Sequence, residues 1–341
     1  MHSLNSFADW LPVIFMAVMG LAMLAYVVLD GYDLGVGILM SRAVPTDQDM
    51  MISSIGPFWD ANETWLVLGV GILLTCFPVA HGLILGALYL PVALMLLGLT
   101  LRGVAFDFRA KAQVRAQGLW NRAFHFGSLI AALSQGWMLG SFIVGFQNTW
   151  VAYAFAALIA ICLTSFYALL GACWLVMKSE GDLQLVATRW ARSALTMSAL
   201  GILGVSVATP LVSQGIFDKW FALPYIVLLA PVPMATVLLF FIANRSLKRL
   251  PVRLKEGNHY GDWVPFACCV GILFLSFYGL GYSIFPYLVI DQLKVWEAAS
   301  DFESLRIIFY GAAVVIPVII AYTVFSYRVF SGKTKPLTYS V

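Results

Sequence analysis

Apolar residues along this chain come in long blocks, and polar residues collect in the short gaps between them. Nine blocks are each near the ~20 residues that a helix needs to cross a bilayer. They run 10–39, 58–77, 81–102, 122–145, 150–177, 192–213, 221–243, 263–285 and 306–330. The pattern predicts an all-α polytopic membrane protein with nine transmembrane helices in four-helix-bundle-like packing. One integral membrane domain covers residues 1–341. Glycines recur four apart at Gly31/Gly35, Gly82/Gly86 and Gly136/Gly140, a spacing that lets helices approach closely in lipid. Gln135 breaks an apolar stretch and is expected to bond across helices. The longest outer gap, 286–305, carries Asp291, Glu297, Asp301 and Glu303. No gap is long enough to be a soluble domain.

Composition agrees: 61% of residues are hydrophobic and 11% charged, which excludes an ordinary soluble domain. Charge placement sets orientation. Alternate gaps hold 17 of the 20 lysines and arginines, and the other set holds only Lys219, Lys294 and Arg306. Cytoplasmic loops carry the excess of Lys and Arg. The N-terminus is therefore expected outside and the C-terminus in the cytoplasm. The clusters at 102–122 and 245–255 serve this topology and call for no nucleic acid. The first 10 residues hold no Lys or Arg, and the first apolar block is too long for a signal-peptide core, so it is expected to remain as a span. Trp10, Trp150, Trp220 and Trp296 fall near outer span ends, as an aromatic belt does. Five cysteines, none in a CxxC, read as reduced thiols.

The candidate chemistry lies in two acidic stretches. Asp30 and Asp33 fall late in the first block, and Asp60 and Glu63 fall early in the second. The predicted topology puts both pairs toward the cytoplasmic side. Each pair is spaced i, i+3 and projects from one side of its helix. Carboxylates at such depth are expensive and should face protein rather than lipid. Three readings stay open: structural pairing with Arg102 and Arg109, a proton-uptake path, or a carboxylate metal site without histidine. Asp107 lies beside the two arginines. His2, His81, His125 and His259 are scattered, which speaks against haem held between two histidines of this chain. Trp59 and Trp65 are interface anchors, or else line a quinone site or a gas path. No P-loop, dinucleotide fingerprint, HExxH or GxSxG occurs. A proton- or sodium-coupled secondary transporter is one reading of such carboxylates, although transporter sites favour the midplane and broken helices.

The stretch Asp30-Gly31-Tyr32-Asp33-Leu34-Gly35-Val36-Gly37 resembles the first-helix signature of subunit II of the cytochrome bd-type quinol oxidases. Pro57-Phe58-Trp59-Asp60-Ala61-Asn62-Glu63-Thr64-Trp65 resembles its second-helix signature. Leu101-Arg102-Gly103-Val104-Ala105-Phe106-Asp107-Phe108-Arg109 is similar to its turn after the third helix. Ser134-Gln135-Gly136 and the stretch from Gly281 to Tyr287 fit later helices. The trimmed outer loops resemble those of the compact, cyanide-insensitive branch. The resemblance implies a subunit of a terminal respiratory oxidase that oxidises quinol and reduces oxygen to water, electrogenic without a proton pump. The haems, two of b type (b558 and b595) and one of d type, are then held by the larger subunit I. This chain would support that partner in a bacterial cytoplasmic (inner) membrane, with quinol, lipid and a small single-helix accessory subunit as further associates. Asp30 and Asp60 become proton-route candidates, followed by Asp33 and Glu63. Trp65 becomes a candidate for the oxygen path and Trp59 for a quinone contact. Arg102, Asp107 and Arg109 are expected to tie the helices at the cytoplasmic edge.

Overall fold

The computed structural model describes residues 7–223 and 225–335; His2 lies outside them. The first half holds α1 (Phe7–Leu39), a 3₁₀ turn (Met40–Arg42), α2 (Pro45–Ile55), α3 (Trp59–Cys76), α4 (Pro78–Lys111), α5 (Val114–Ile143) and α6 (Trp150–Lys178). The second holds α7 (Gly181–Val212), α8 (Gln214–Phe221), α9 (Tyr225–Leu229), α10 (Pro231–Lys255) and α11 (Val264–Ile284). It ends with β1 (Tyr287–Val289), β2 (Leu293–Lys294), α12 (Val295–Ala298) and α13 (Phe302–Val329). Among the described residues, eight segments are long and apolar enough to cross a membrane: α1, α4, α5, α6, α7, the α9–α10 run, α11 and α13. α3, with 18 residues, is not among them, because Asp60 and Glu63 lower its hydropathy.

Several helices run past the apolar blocks that mark them. α4 continues to Lys111 and α10 to Lys255, while α5 begins at Val114 and α7 at Gly181. The extensions are rich in Arg, Lys, Ala, Gln and Leu, which are good helix formers. Polarity there marks the edge of the apolar layer and not the end of the helix. Arg102 accordingly sits well inside α4. At Leu88 the backbone of α4 leaves helical geometry (φ −108°, ψ 16°). Pro91 follows, and its missing N–H leaves the Ala87 carbonyl without its helical partner.

Two rings of helices pack side by side. α1, α3, α4 and α5 close one, and α6, α7, α10 and α11 close the other. α6 joins them by packing on α1 and α5, and α13 lies against α1 and α3. The α1–α6 seam is set by glycine. A Cβ on Gly35 would stand 1.8 Å from the Tyr167 carbonyl oxygen, and one on Gly171 would stand 2.3 Å from the Gly35 carbonyl carbon. Gly136 and Gly140 sit equally close to Ala160 and Ala156 of α6, whereas Gly82 and Gly86 meet nothing within 4 Å. At the end away from the basic extensions, the β1–β2 hairpin and α12 close over the bundle. Leu288, Val289 and Val295 bury there with Leu11, Phe15, Cys76 and Phe77. The Trp296 indole donates to the Asp9 carbonyl (2.9 Å). All five cysteines are free.

Candidate functional site

α1 delivers Asp30 and Asp33 to the interior of the first ring, and both are fully buried. α4 delivers Arg102 (1% exposed). Its Nη2 stands 2.6 Å from Asp30 Oδ1 and also pairs with Glu63 of α3. The Asp30 contact is an ion pair set off the hydrogen-bond axis, since neither Asp30 oxygen has an aligned hydrogen bond among the described residues. Asp33 Oδ1, Arg102 Nε and Arg102 Nη1 are likewise buried without a hydrogen-bond partner. Glu63 keeps 29% of its side chain exposed, so it joins this buried set to the surface of the chain.

Asn62 organises the other side. Its Nδ2 lies within bonding distance of Asp33 Oδ2 (2.8 Å), the Tyr32 hydroxyl (2.9 Å) and the Leu29 carbonyl (3.2 Å). Tyr327 of α13 donates to Asn62 Oδ1 (3.0 Å) and stands 2.6 Å from the Tyr32 hydroxyl. Tyr327 also lines a groove of about 400 Å³ with Leu29 and Thr323. The network therefore meets the surface at a second point. Rings hold its members in place: Tyr32 stacks on Trp174 (4.0 Å) and Tyr327 on Phe58 (4.6 Å). Lys178 Nζ lies over both Phe58 (5.4 Å) and Trp174 (5.2 Å) and donates to the carbonyls of Phe330 (2.7 Å) and Gly332 (3.2 Å). That contact ties down the chain just beyond α13. On the far side of Asp30, Tyr167 donates to Gln135 Oε1 (2.7 Å), and Gln135 Nε2 donates to the Tyr26 hydroxyl (2.7 Å).

The structure brings together Asp30, Asp33, Glu63 and Arg102. It leaves Asp60 exposed on α3, outside the buried set. Asp107 is exposed and makes no ion pair among the described residues. Arg109 is buried but serves a different joint. It pairs with Asp49 of α2, and its Nε donates to Asn121 Oδ1 of α5 (2.5 Å), while Asn121 Nδ2 donates to Gln48 Oε1 (2.5 Å). Trp59 is half-buried against Phe106 (ring centroids 5.0 Å). Trp65 is half-buried too, and its indole nitrogen is buried without a hydrogen-bond partner among the described residues. Asn62, Tyr32, Tyr327, Asp49 and Asn121 were not singled out by sequence reasoning. The polar breaks at Asn62 and Asn121 in otherwise helical stretches are the signals that could have found two of them.

The described residues contain no group of three or more His, Cys, Asp or Glu disposed around a metal ion. His81 opens α4, His125 lies in α5 with its Nδ1 3.1 Å from the Gly37 carbonyl, and His259 is in the turn between α10 and α11. Three separate elements thus carry them.

A sequence model of the family described as "Cytochrome bd terminal oxidase subunit II" matches residues 11–330. Cytochrome bd ubiquinol oxidase subunit 2 of Bacillus subtilis (strain 168) is 26% identical, over 91% of this chain and 94% of its own length. Cytochrome bd-I ubiquinol oxidase subunit 2 of Escherichia coli (strain K12) is 25% identical, over 95% and 96%. A chain of the bd oxidase from Geobacillus thermodenitrificans superposes with a TM-score of 0.70 at 17% identity, covering 94% of this chain and 98% of that one. The last match shows a shared fold. Taken with the family match along nearly its whole length, it makes this chain a member of the cytochrome bd terminal oxidase subunit II family.

Proposed function

We propose that this chain is the supporting subunit of a terminal quinol oxidase, paired with a haem-bearing subunit I. In this reading α3 is the ninth span. The basic ends of the helices face the cytoplasm, the N-terminus lies outside, and the complex sits in a bacterial cytoplasmic (inner) membrane. The partner's haems, two of b type and one of d type, supply the electron transfer and oxygen chemistry. This chain supplies packing and a proton route from the cytoplasmic side.

One observation carries the proton role. Glu63, at the surface, shares the Arg102 guanidinium with the buried Asp30, and Asp33 lies on the same helix one turn further on. Protons consumed inside an apolar protein must pass along polar groups. The unfilled hydrogen-bonding capacity of Asp30, Asp33 and Arg102 gives such groups room to exchange partners. Asp60, exposed three residues before Glu63 on α3, is placed to collect protons ahead of it. Trp65, half a turn beyond Glu63, is assigned to the border of an oxygen path at the subunit interface. Trp59 offers a quinone only the ring face that Phe106 does not cover. A coupled transporter is disfavoured because α1 and α3 carry their carboxylates on unbroken helices.

The test is oxygen consumption by the purified two-subunit complex with excess quinol, followed across pH. Glu63→Gln and Asp30→Asn should slow turnover at least tenfold and alter its pH profile while the haem spectrum stays native. Asp60→Asn should do so more weakly. Native turnover and a native pH profile in all three would assign these carboxylates to structure alone.

A further inference from the structure

Far from the acidic set, α7 and α10 meet at their basic ends and leave a groove of about 410 Å³. Arg189, Arg192, Ser193 and Thr196 line it from α7, and Asn244 and Lys248 line it from α10. The α7 residues are spaced i, i+3, i+4, i+7 and the α10 pair i, i+4, so each set is one helix face. Arg189, Arg192 and Lys248 are exposed, and none of them makes an ion pair among the described residues. Three cations and three neutral hydrogen-bonding side chains therefore converge with no anion between them.

The walls that continue the groove are apolar. Met197 and Leu200 on α7 and Val237 and Phe241 on α10 are all exposed, between 58% and 68%. A cationic, hydrogen-bonding head that opens onto a lipid-facing seam has the amphipathic form of one ligand class. Bias of basic residues toward one membrane face explains cations near the edge. It does not explain why two helices aim three unpaired cations into one groove. Basic pockets between spans at this depth hold phosphate headgroups. We infer that this groove is a binding site for an anionic phospholipid of the phosphatidylglycerol class. The phosphate sits among Arg189, Arg192 and Lys248, and the acyl chains lie along α7 and α10. The site is independent of the oxidase reading.

Native mass spectrometry of the delipidated complex, titrated with phosphatidylglycerol or with phosphatidylcholine of the same chains, tests the site. The wild type should bind phosphatidylglycerol well ahead of phosphatidylcholine. The triple variant Arg189→Gln/Arg192→Gln/Lys248→Gln should lose roughly 100-fold in affinity, at about fivefold per cation near the surface. A control that removes three exposed cations elsewhere, Arg115→Gln/Arg122→Gln/Lys255→Gln, should stay within a few-fold of the wild type. Equal losses in the two triple variants, equal binding of the two lipids, or displacement of phosphatidylglycerol by millimolar inorganic phosphate would each overturn the inference. The last result would make the groove a free-phosphate site instead.

Discussion

Arg102 is the cation on which the buried carboxylates depend, and its loss should cost more than the loss of any of its partners. In Arg102→Leu, Asp30 keeps no cation and is fully buried, while Glu63 is left 29% exposed. Stranding one partner of a buried pair costs about 3–5 kcal/mol. In Asp30→Asn the guanidinium still pairs with Glu63, so no charge is stranded and the loss should fall below the roughly 3 kcal/mol at the low end of that range. Glu63→Gln removes a partly solvated contact and should cost about 1 kcal/mol or less. The order Arg102→Leu, then Asp30→Asn, then Glu63→Gln follows from whether a charge is stranded and how deeply it is buried. The triple variant Arg102→Leu/Asp30→Asn/Glu63→Gln strands no charge in this pair set, so it should be more stable than Arg102→Leu by itself. Thermal midpoints of the purified complex at one fixed scan rate provide the readout. At about 2 °C per kcal/mol for a large chain, Arg102→Leu should lower the midpoint by roughly 6–10 °C. If Asp30→Asn cost as much as Arg102→Leu, or if the triple variant recovered nothing, the reasoning would fail at its premise that stranded charge dominates.

Three further predictions test other joints. Gly35→Ala and Gly171→Ala should prevent recovery of folded complex, because each Cβ meets backbone that cannot move without parting α1 from α6; Gly82→Ala and Gly86→Ala, which meet nothing within 4 Å, should give normal yield. Lys178→Met should raise hydrogen exchange several-fold across 330–334, since both carbonyl contacts of Lys178 Nζ lie there, and Lys178→Arg should restore much of the protection. Asp301, which caps α13, is held below the usual carboxylate range by the Ser304 backbone N–H and hydroxyl. Its contribution is present above the unfolded carboxylate range and disappears as pH falls through the folded value. Asp301→Ala should therefore speed exchange in the first turn of α13 near neutral pH, and the gap to wild type should close in acid; a gap that persisted there would refute the carboxylate cap.

Eight of the spans were legible because lipid exposure demands long apolar runs. What the sequence hid was rotation about each helix axis. On α3 the spacing of Asp60 and Glu63 suggested one shared acidic face. The buried side instead carries Asn62, Gly69, Ile72 and Cys76. Residues advance about 100° each, so Asp60 lies about 200° from Asn62 and is turned outward, while Glu63 lies about 100° away and reaches Arg102 from the margin. The small residues of that stripe were visible, but a stripe of small residues does not say which polar neighbour it carries inward. Tyr327 was out of reach for another reason. It meets Asn62 across 265 residues of chain, and no local pattern encodes that meeting. Arg109 was read beside Arg102, yet α2 folds back to pair it with Asp49, because the connection after α1 is itself a helix.

The balance of the buried set bears on why it is built this way. Asp30 and Glu63 share a single guanidinium, and the neighbouring Asp33 has no cation paired with it among the described residues, only the neutral donor Asn62. Fully ionised, the group would carry two uncompensated negative charges in a place where each unpaired charge is expensive. A set selected only to hold helices together would close its charges, as Arg109 does with Asp49 and Asn121 a few turns along α4. The same helix thus offers two charge balances: one guanidinium matched by one carboxylate at Arg109, whose Nη1 is also unengaged, and one short of cations at Arg102. The proposed proton route rests on that excess of carboxylates over cations, together with the unengaged polar atoms beside them.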